Sequence, residues 1–326
     1  MFSKQVLDID AATVAAQIEQ ALKTQVLTTL RRKGVVVGLS GGIDSSVVTS
    51  LAARALGPER VLALLMPERD SASESAALGR LLANKLGVPT LLEELHAILD
   101  AAGCYRRQDE AIRSVFPEYR DGYRFKITLP SILDGNRLNI SELTIESPNG
   151  ERKTSRMSAP AYLQMIAATN FKQRFRKLME YYHADRLNYA VAGTPNRLEY
   201  DQGFFVKQGD GAADVKPIAH LYKSQVYALA AYLGVPEEIR KRPPTTDTFS
   251  LPQTQEEFYY ALPYDKMDLC LFAHNHGVAP VEVAPAVGLT ADQVARVFKD
   301  IDQKRRTTRY LHARPLLVEP VSEITA

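Results

Sequence analysis

The chain has 326 residues, a length that suits one large domain or two small ones. Its net charge of +2 gives no reason to expect a polyanion such as nucleic acid as partner, and no apolar stretch approaches the ~20 residues needed to cross a bilayer. The two cysteines, Cys104 and Cys270, are too few for a disulfide framework or a four-cysteine zinc site. With no signal-peptide layout at Met1–Val6, they point to a cytoplasmic protein.

From Asp10 to Arg32, Val14, Ile18, Leu22, Val26 and Leu30 recur every fourth residue, which predicts an amphipathic helix. That stripe serves either a contact with a second copy of the chain or the edge of its own sheet. An apolar strand follows at Val35–Leu39. Next come Gly38-Leu39-Ser40-Gly41-Gly42-Ile43-Asp44-Ser45-Ser46 and a helix that stops near Gly57-Pro58. Strand, glycine turn and helix together aim unpaired backbone N–H groups and the positive end of a helix dipole at one point, a natural seat for phosphate. Gly41 and Gly42 let the backbone come close, and Ser40, Ser45 and Ser46 add hydroxyl donors. The Asp44 carboxylate would repel phosphate unless a cation lies between them, so pyrophosphate with Mg2+ fits better than phosphate alone. The Gly-Lys-Ser/Thr ending of a Walker loop is absent. An ordinary glycine-rich turn remains the plain alternative.

Further along, a strand is expected at Val61–Met66, a helix at Ser71–Leu86 and a third strand at Thr90–Leu95. Apolar strands alternating with helices predict an α/β fold, a doubly wound parallel sheet with helices on both faces, whose ligands bind beyond the carboxyl ends of the strands. Between about 106 and 159 the pattern breaks. Alternating stretches at Tyr123–Leu129 and Leu138–Glu146 and a turn at Ser147–Gly150 predict an inserted β-hairpin-like segment or a long flap. A long helix is expected over Ala161–Ala184, with a basic run from Lys172 to Lys177 read as a solvated face. A strand over Leu187–Ala192 and a functional loop over Thr194–Val215 complete the middle of the chain. A helix over Tyr222–Leu233 opens a mostly helical C-terminal part, about 222–326, with a second basic run over Lys304–Arg309. The lone histidines His96, His183 and His220 suit structural roles.

A second constellation begins at Gly193-Thr194-Pro195-Asn196-Arg197-Leu198-Glu199, again at a strand end, so that Glu199 and Asp44 can face one crevice as a magnesium clamp. Lys207 and Lys223 suit phosphates, and Asp214 can accept from ribose or amide groups. The Ser40–Ser46 loop, Gly193-Thr194 with Glu199, Lys207–Asp214, Lys223 and Pro244-Thr245 together resemble NAD synthetases of the ammonia-dependent type, in the N-type ATP pyrophosphatase (PP-loop) superfamily. Asn170 and Arg174 extend the match. The resemblance implies an adenine nucleotide alpha hydrolase-like fold in one domain spanning 1–326, without a glutaminase domain. It also implies a homodimer that amidates deamido-NAD with ammonia at the expense of ATP. ATP contacts are implied for Gly38, Leu39, Ser40, Gly41, Gly42, Ile43, Asp44, Ser45, Thr194, Lys223 and Thr245, with Mg2+ at Asp44 and Glu199. Asp44 and Lys223 are the implied catalytic groups, and Arg174, Lys207 and Asp214 the deamido-NAD contacts. The family's C-terminal His-Lys pair has no clean counterpart in Lys304–His312, where His312, Lys304 and Arg305 are the candidates. Two rivals are a PP-loop enzyme that adenylates tRNA or a purine nucleotide, and a nucleotide sensor without turnover.

Overall fold

A computed structural model describes residues 2–130, 141–245 and 249–323. Its first half alternates strand and helix: α1 (Ala11–Lys23), β1 (Val35–Gly38), α2 (Ile43–Leu56), β2 (Val61–Leu65), α3 (Ser73–Leu86) and β3 (Thr90–Leu92). Two short helices, α4 (His96–Ala101) and α5 (Cys104–Arg113), lead into three strands, β4 (Arg124–Thr128), β5 (Glu142–Glu146) and β6 (Arg152–Arg156). The chain then forms the 29-residue helix α6 (Ala159–Leu187), β7 (Ala190–Ala192) and α7 (Arg197–Gln202). Five helices follow: α8 (Lys223–Tyr232), α9 (Glu237–Lys241), α10 (Tyr264–Asn275), α11 (Pro280–Val287) and α12 (Ala291–Thr308).

The main sheet has the order β3-β2-β1-β7 with every pair parallel. Its strands are apolar on both faces because helices cover both. Val35 and Val37 point into a core shared with α1, α2 and α8, while Val36, Leu62, Leu64 and Val191 point to the opposite face, against Ala184 of α6. The chain builds outward from β1 to β3 and then returns to lay β7 on the other side of β1. That reversal opens a crevice where β1 and β7 end, the place such sheets bind ligands.

Several expectations need correction. The first helix leaves α geometry at Lys23 and continues as a wider π turn over Thr24–Thr29. Ile18, Leu22 and Val26 are buried in the sheet core, so of the two roles expected for this stripe it takes that of covering its own sheet. The strand expected from Leu187 starts at Ala190, because Asn188 takes a left-handed conformation (φ 57°) that ends α6. The insertion is a three-stranded antiparallel meander, not a hairpin. The turn at Ser147–Gly150 is as expected and joins β5 to β6. Residues 138–140 of the strand expected over Leu138–Glu146 lie outside the described residues. The basic run on α6 is not a solvated face: Lys172 is wholly buried between Asp70 (2.5 Å) and Glu68 (3.2 Å), and Lys177 pairs with Glu180 at 2.5 Å. His183 is held as expected, between Glu93 (2.8 Å) and Arg186. Both cysteines are free and buried. Among the described residues no helix is long and apolar enough to cross a membrane.

Candidate active site

Where β1 ends, the chain turns through Ser40-Gly41-Gly42 into the N-terminus of α2, with Gly42 at the cap position. Gly41 has φ +73°, and a Cβ there would lie 2.5 Å from the Ser75 carbonyl oxygen of α3. Two causes thus require glycine: the left-handed backbone and the close approach of α3. Gly41→Ala is expected to destabilise the fold by about 1–3 kcal/mol. Gly42→Ala, at φ −85° with only the Ser40 hydroxyl nearby (3.3 Å), is expected to leave the urea midpoint close to wild type. Ser45 lies within 3.2 Å of the Ser40 hydroxyl and donates to Gly42 O, so two hydroxyls meet at the turn. Ser46 is fully buried and donates to Gly42 O, which takes it out of the anion seat.

Beyond this turn lies a cavity of about 230 Å³. It is lined by Gly38, Leu39, Ser40, Gly42, Ile43, Asp44 and Ser45 from the first loop, and by Thr194, Glu199, Lys223 and Thr245 from three later segments. Of the residues expected to contact ATP, Gly41 alone is not in the lining; it packs on α3 instead. On the cavity floor Asp44 accepts from Lys223 Nζ at 2.5 Å and from Asn196 Nδ2 at 3.1 Å. Asn196 caps α7 by accepting from Glu199 N (3.2 Å), while its own N–H donates to Glu199 Oε2 (3.0 Å). One buried asparagine therefore joins the two carboxylates that come from different strand ends. The other Glu199 oxygen accepts from Gln255 Nε2 at 3.0 Å.

The electrostatics follow from that crowding. Burial first, and then the neighbouring Asp44 charge, push Glu199 up to about 8. Burial works against the Lys223 ammonium, but Asp44 and Glu199 together outweigh it and leave its pKa above the ordinary lysine value. Asp210, also in the lining, accepts from Val206 N at 2.8 Å and is raised by burial.

The other expected substrate contacts gather elsewhere. Arg174 donates to Lys207 O (3.2 Å), and Lys207 Nζ donates to Tyr310 O (2.9 Å). The His312 ring sits edge-on to Tyr200 (4.8 Å) and Phe205 (5.0 Å), so the C-terminal segment meets the Lys207 loop outside the cavity. Asp214 stands apart from both groups: it accepts from Val191 N (2.7 Å) and Tyr181 OH (3.4 Å), stitching its loop to the edge of β7. Lys304 is turned inward to Asp300 (2.7 Å) and Tyr259 O (2.9 Å), and Arg305 is bidentate to Asp201 (2.6 and 2.7 Å). Neither faces the cavity.

Sequence reasoning missed several lining groups. Gln173, Arg176 and Glu180 share one face of α6 at helical spacing, and Arg176 holds Met66 O (3.3 Å) and the Ser71 hydroxyl (3.2 Å) of the loop after β2. Asn196 was readable, since Asn-x-x-Glu is a capping-box signature. Gln255 carries no local signal, lying 56 residues from Glu199 on an irregular stretch.

An open parallel sheet with a glycine-serine turn feeding a helix N-terminus, and two carboxylates converging at the switch point, defines a nucleotide-binding α/β protein of the PP-loop type. Comparison with known proteins narrows the class. The family model described as NAD synthase matches residues 14–115 and 136–310, and the chain belongs to that family. It is 62% identical over 317 residues to the NH(3)-dependent NAD(+) synthetase of Mesorhizobium japonicum, covering 97% of this chain and 99% of that one. To the enzyme of the same name from Thermotoga maritima it is 38% identical over 242 residues, covering 73% and 79%. Among solved structures, an NMN synthetase from Francisella tularensis superposes with a TM-score of 0.65 at 22% identity, covering 96% of this chain and 100% of that one. An NH3-dependent NAD synthetase from Campylobacter jejuni superposes at 0.62 and 23%, covering 95% and 100%. At those identities the superpositions speak for the fold alone.

Proposed function

We propose that this protein is a C–N ligase that amidates deamido-NAD with ammonia, using ATP and releasing AMP and pyrophosphate. The observation that carries the reading is the Asp44–Asn196–Glu199 constellation, with Lys223, at the N-terminus of α2 in a chain of the NAD synthase family. The nicotinate carboxylate attacks the α-phosphorus of ATP, the bond to pyrophosphate breaks, and an acyl-adenylate forms. Ammonia then attacks the acyl carbon, AMP leaves, and the nitrogen loses a proton. Neither step needs a covalent enzyme nucleophile.

In this reading the backbone N–H groups at the start of α2, the Ser40 and Ser45 hydroxyls, Thr194 and Lys223 bind the phosphates. Leu39, Ile43 and Thr245 line the rest of the ATP site. The donor set suits Mg2+: two carboxylates converge on the cavity, and burial together with the neighbouring Asp44 charge disfavours the Glu199 anion, a penalty that a bound cation would relieve. Asp44 and Glu199 would hold the ion, which when bound neutralises charge on the leaving pyrophosphate. Ligands beyond these two carboxylates would have to come from the nucleotide phosphates and water. Arg174, Lys207 and His312 receive deamido-NAD, and Asp214 holds its loop to the edge of β7 on the way to that site.

We also take the protein to be a cytoplasmic homodimer in which 1–326 act as one unit. Leu163, Arg174, Leu178 and Tyr182 fall on one face of α6, and the three apolar members are 57–65% exposed. A second copy docked there would bring Arg174 to the seam. Leu178→Asp is expected to shift the mass measured by light scattering from dimer to monomer. The tRNA-modifying alternative has less surface than the two basic runs suggest, because Lys172, Lys177 and Lys304 point inward and leave Arg174, Arg306 and Arg309 as their exposed cations. The deciding experiment supplies purified protein with ATP, Mg2+ and deamido-NAD, and compares ammonium with glutamine as nitrogen donor. Formation of NAD with stoichiometric AMP is expected with ammonium; no nucleotide turnover would leave only the sensor.

A further inference from the structure

The inserted sheet shares its core with a distant stretch of chain. Phe249 is buried in the same cluster as Phe125, Ile127, Leu143 and Ile145, with its ring 5.6 Å from that of Phe125. The polar contacts run along the free edge of β4. Phe125 O accepts from Leu251 N (3.0 Å), Phe125 N donates to the Ser250 hydroxyl (2.9 Å), and Leu129 N donates to Glu257 O (2.9 Å). Gln253 is buried and its side-chain amide donates to Ile127 O. An edge strand with unpaired backbone groups needs a cover, and residues 249–257 supply it.

The same stretch reaches the active site. Gln255 N donates to Pro244 O (3.1 Å), Thr254 bridges Thr245, and Gln255 Nε2 donates to Glu199 (3.0 Å). Pro244, Thr245 and Gln255 all line the cavity. From its other side the segment runs into a π turn, Glu256–Tyr260, held by the Tyr259 hydroxyl on Gln202 O (2.7 Å) and by the buried Tyr260 ring, so β4 fixes the stretch before Gln255 and the π turn the stretch after it.

We propose that the inserted sheet is a strut for the nucleotide cleft, in which Phe249 and Gln253 are positioning residues that hold the Gln255 amide against the Glu199 carboxylate. The proposal rests on the reading of Glu199 as part of the ATP and magnesium site. A carboxylate fixed by an outer hydrogen bond presents its oxygens in one orientation, and such outer partners are worth about 10–100-fold in metal affinity or activity.

The test compares wild type with Gln255→Leu, Phe249→Ala, Phe249→Leu, Gln253→Met and the Phe249→Ala/Gln255→Leu pair. In steady state, Gln255→Leu and Phe249→Ala are expected to raise the Mg2+ concentration for half-maximal rate by about 10-fold. The KM for deamido-NAD should stay within about twofold, Phe249→Leu should restore most of the loss, and the double variant should be no worse than either single, as for residues acting through one contact. Hydrogen exchange on the ligand-free proteins gives a readout without turnover: Phe249→Ala and Gln253→Met should speed exchange over 250–257 and 196–202 while β1 and β2 stay protected. Should Phe249→Ala not fold, the nearly volume-conserving Gln253→Met carries both measurements. Wild-type exchange at 196–202 in Phe249→Ala and Gln253→Met, or additive losses in the double variant, would overturn the strut. Absence of deamido-NAD amidation by wild type would refute the functional reading instead, and the exchange comparison would still decide the strut.

Discussion

Asp44→Asn is expected to lower turnover by about 10²–10³-fold while the protein still folds, because the change removes charge and leaves shape. Asn keeps an oxygen for the Asn196 amide, which now donates to Asp44 Oδ1 at 3.1 Å. It offers no negative charge to Lys223, 2.5 Å from Asp44 Oδ2, or to a cation on the phosphates. Stripping a buried lysine of its sole carboxylate typically costs about 3–5 kcal/mol. Here Glu199 also acts on Lys223, so the loss in folding stability should fall below that range. Urea denaturation and pyrophosphate release measured on the same preparation separate the two effects. Wild-type turnover would remove Asp44 from the chemistry; a protein unable to fold would show that its role is chiefly structural.

The parts of this site that were legible in the sequence are those whose signals are local. Val35–Val37, two glycines, the serines and a following helix lie within a dozen positions, and each has a physical reason to sit where it does. The Gly193–Glu199 turn reads the same way. The three-dimensional partners were not legible. Lys172 looks like part of a solvated basic face because nothing near it in sequence announces Glu68 and Asp70, about a hundred positions away, and Lys177, though its partner Glu180 is only three residues on, carries no local sign that the pair is buried. The helix that carries them is unusual in being enclosed on more than one side: the main sheet lies against Ala184, and the insertion core takes Ala161 and Met165. A helix packed on several faces has no single apolar stripe, and its buried charges need partners, whether from distant chain as for Lys172 or from the next turn as for Lys177. Strand β6 was invisible for the opposite reason. Arg152-Lys153-Thr154-Ser155-Arg156 is almost wholly exposed and has no apolar alternation, since an edge strand facing water needs none.

The second large effect is expected at Lys223. Its side chain is 2% exposed and is the positive group set against Asp44 and Glu199. Lys223→Met fills the same space without charge and leaves the Asp44 and Glu199 carboxyl groups together at the cavity wall with no cation between them. In metal-free buffer the fold should lose about 3–5 kcal/mol, the usual penalty for breaking a buried pair from one side. Millimolar Mg2+ should then stabilise the variant more than wild type, because an ion that binds only the folded state contributes in proportion to its affinity, and affinity rises once the competing ammonium is gone. Catalysis should not recover with stability. An ammonium that donates to phosphate oxygens where negative charge develops is not replaced by a cation seated on the carboxylates, so turnover should remain about 10²–10³-fold below wild type at saturating Mg2+. Thermal melts with and without Mg2+, read beside turnover, decide the matter. Equal Mg2+ stabilisation of variant and wild type would mean that Lys223 and the cation do not answer the same two carboxylates, and the clamp would have to be sought elsewhere in the cavity.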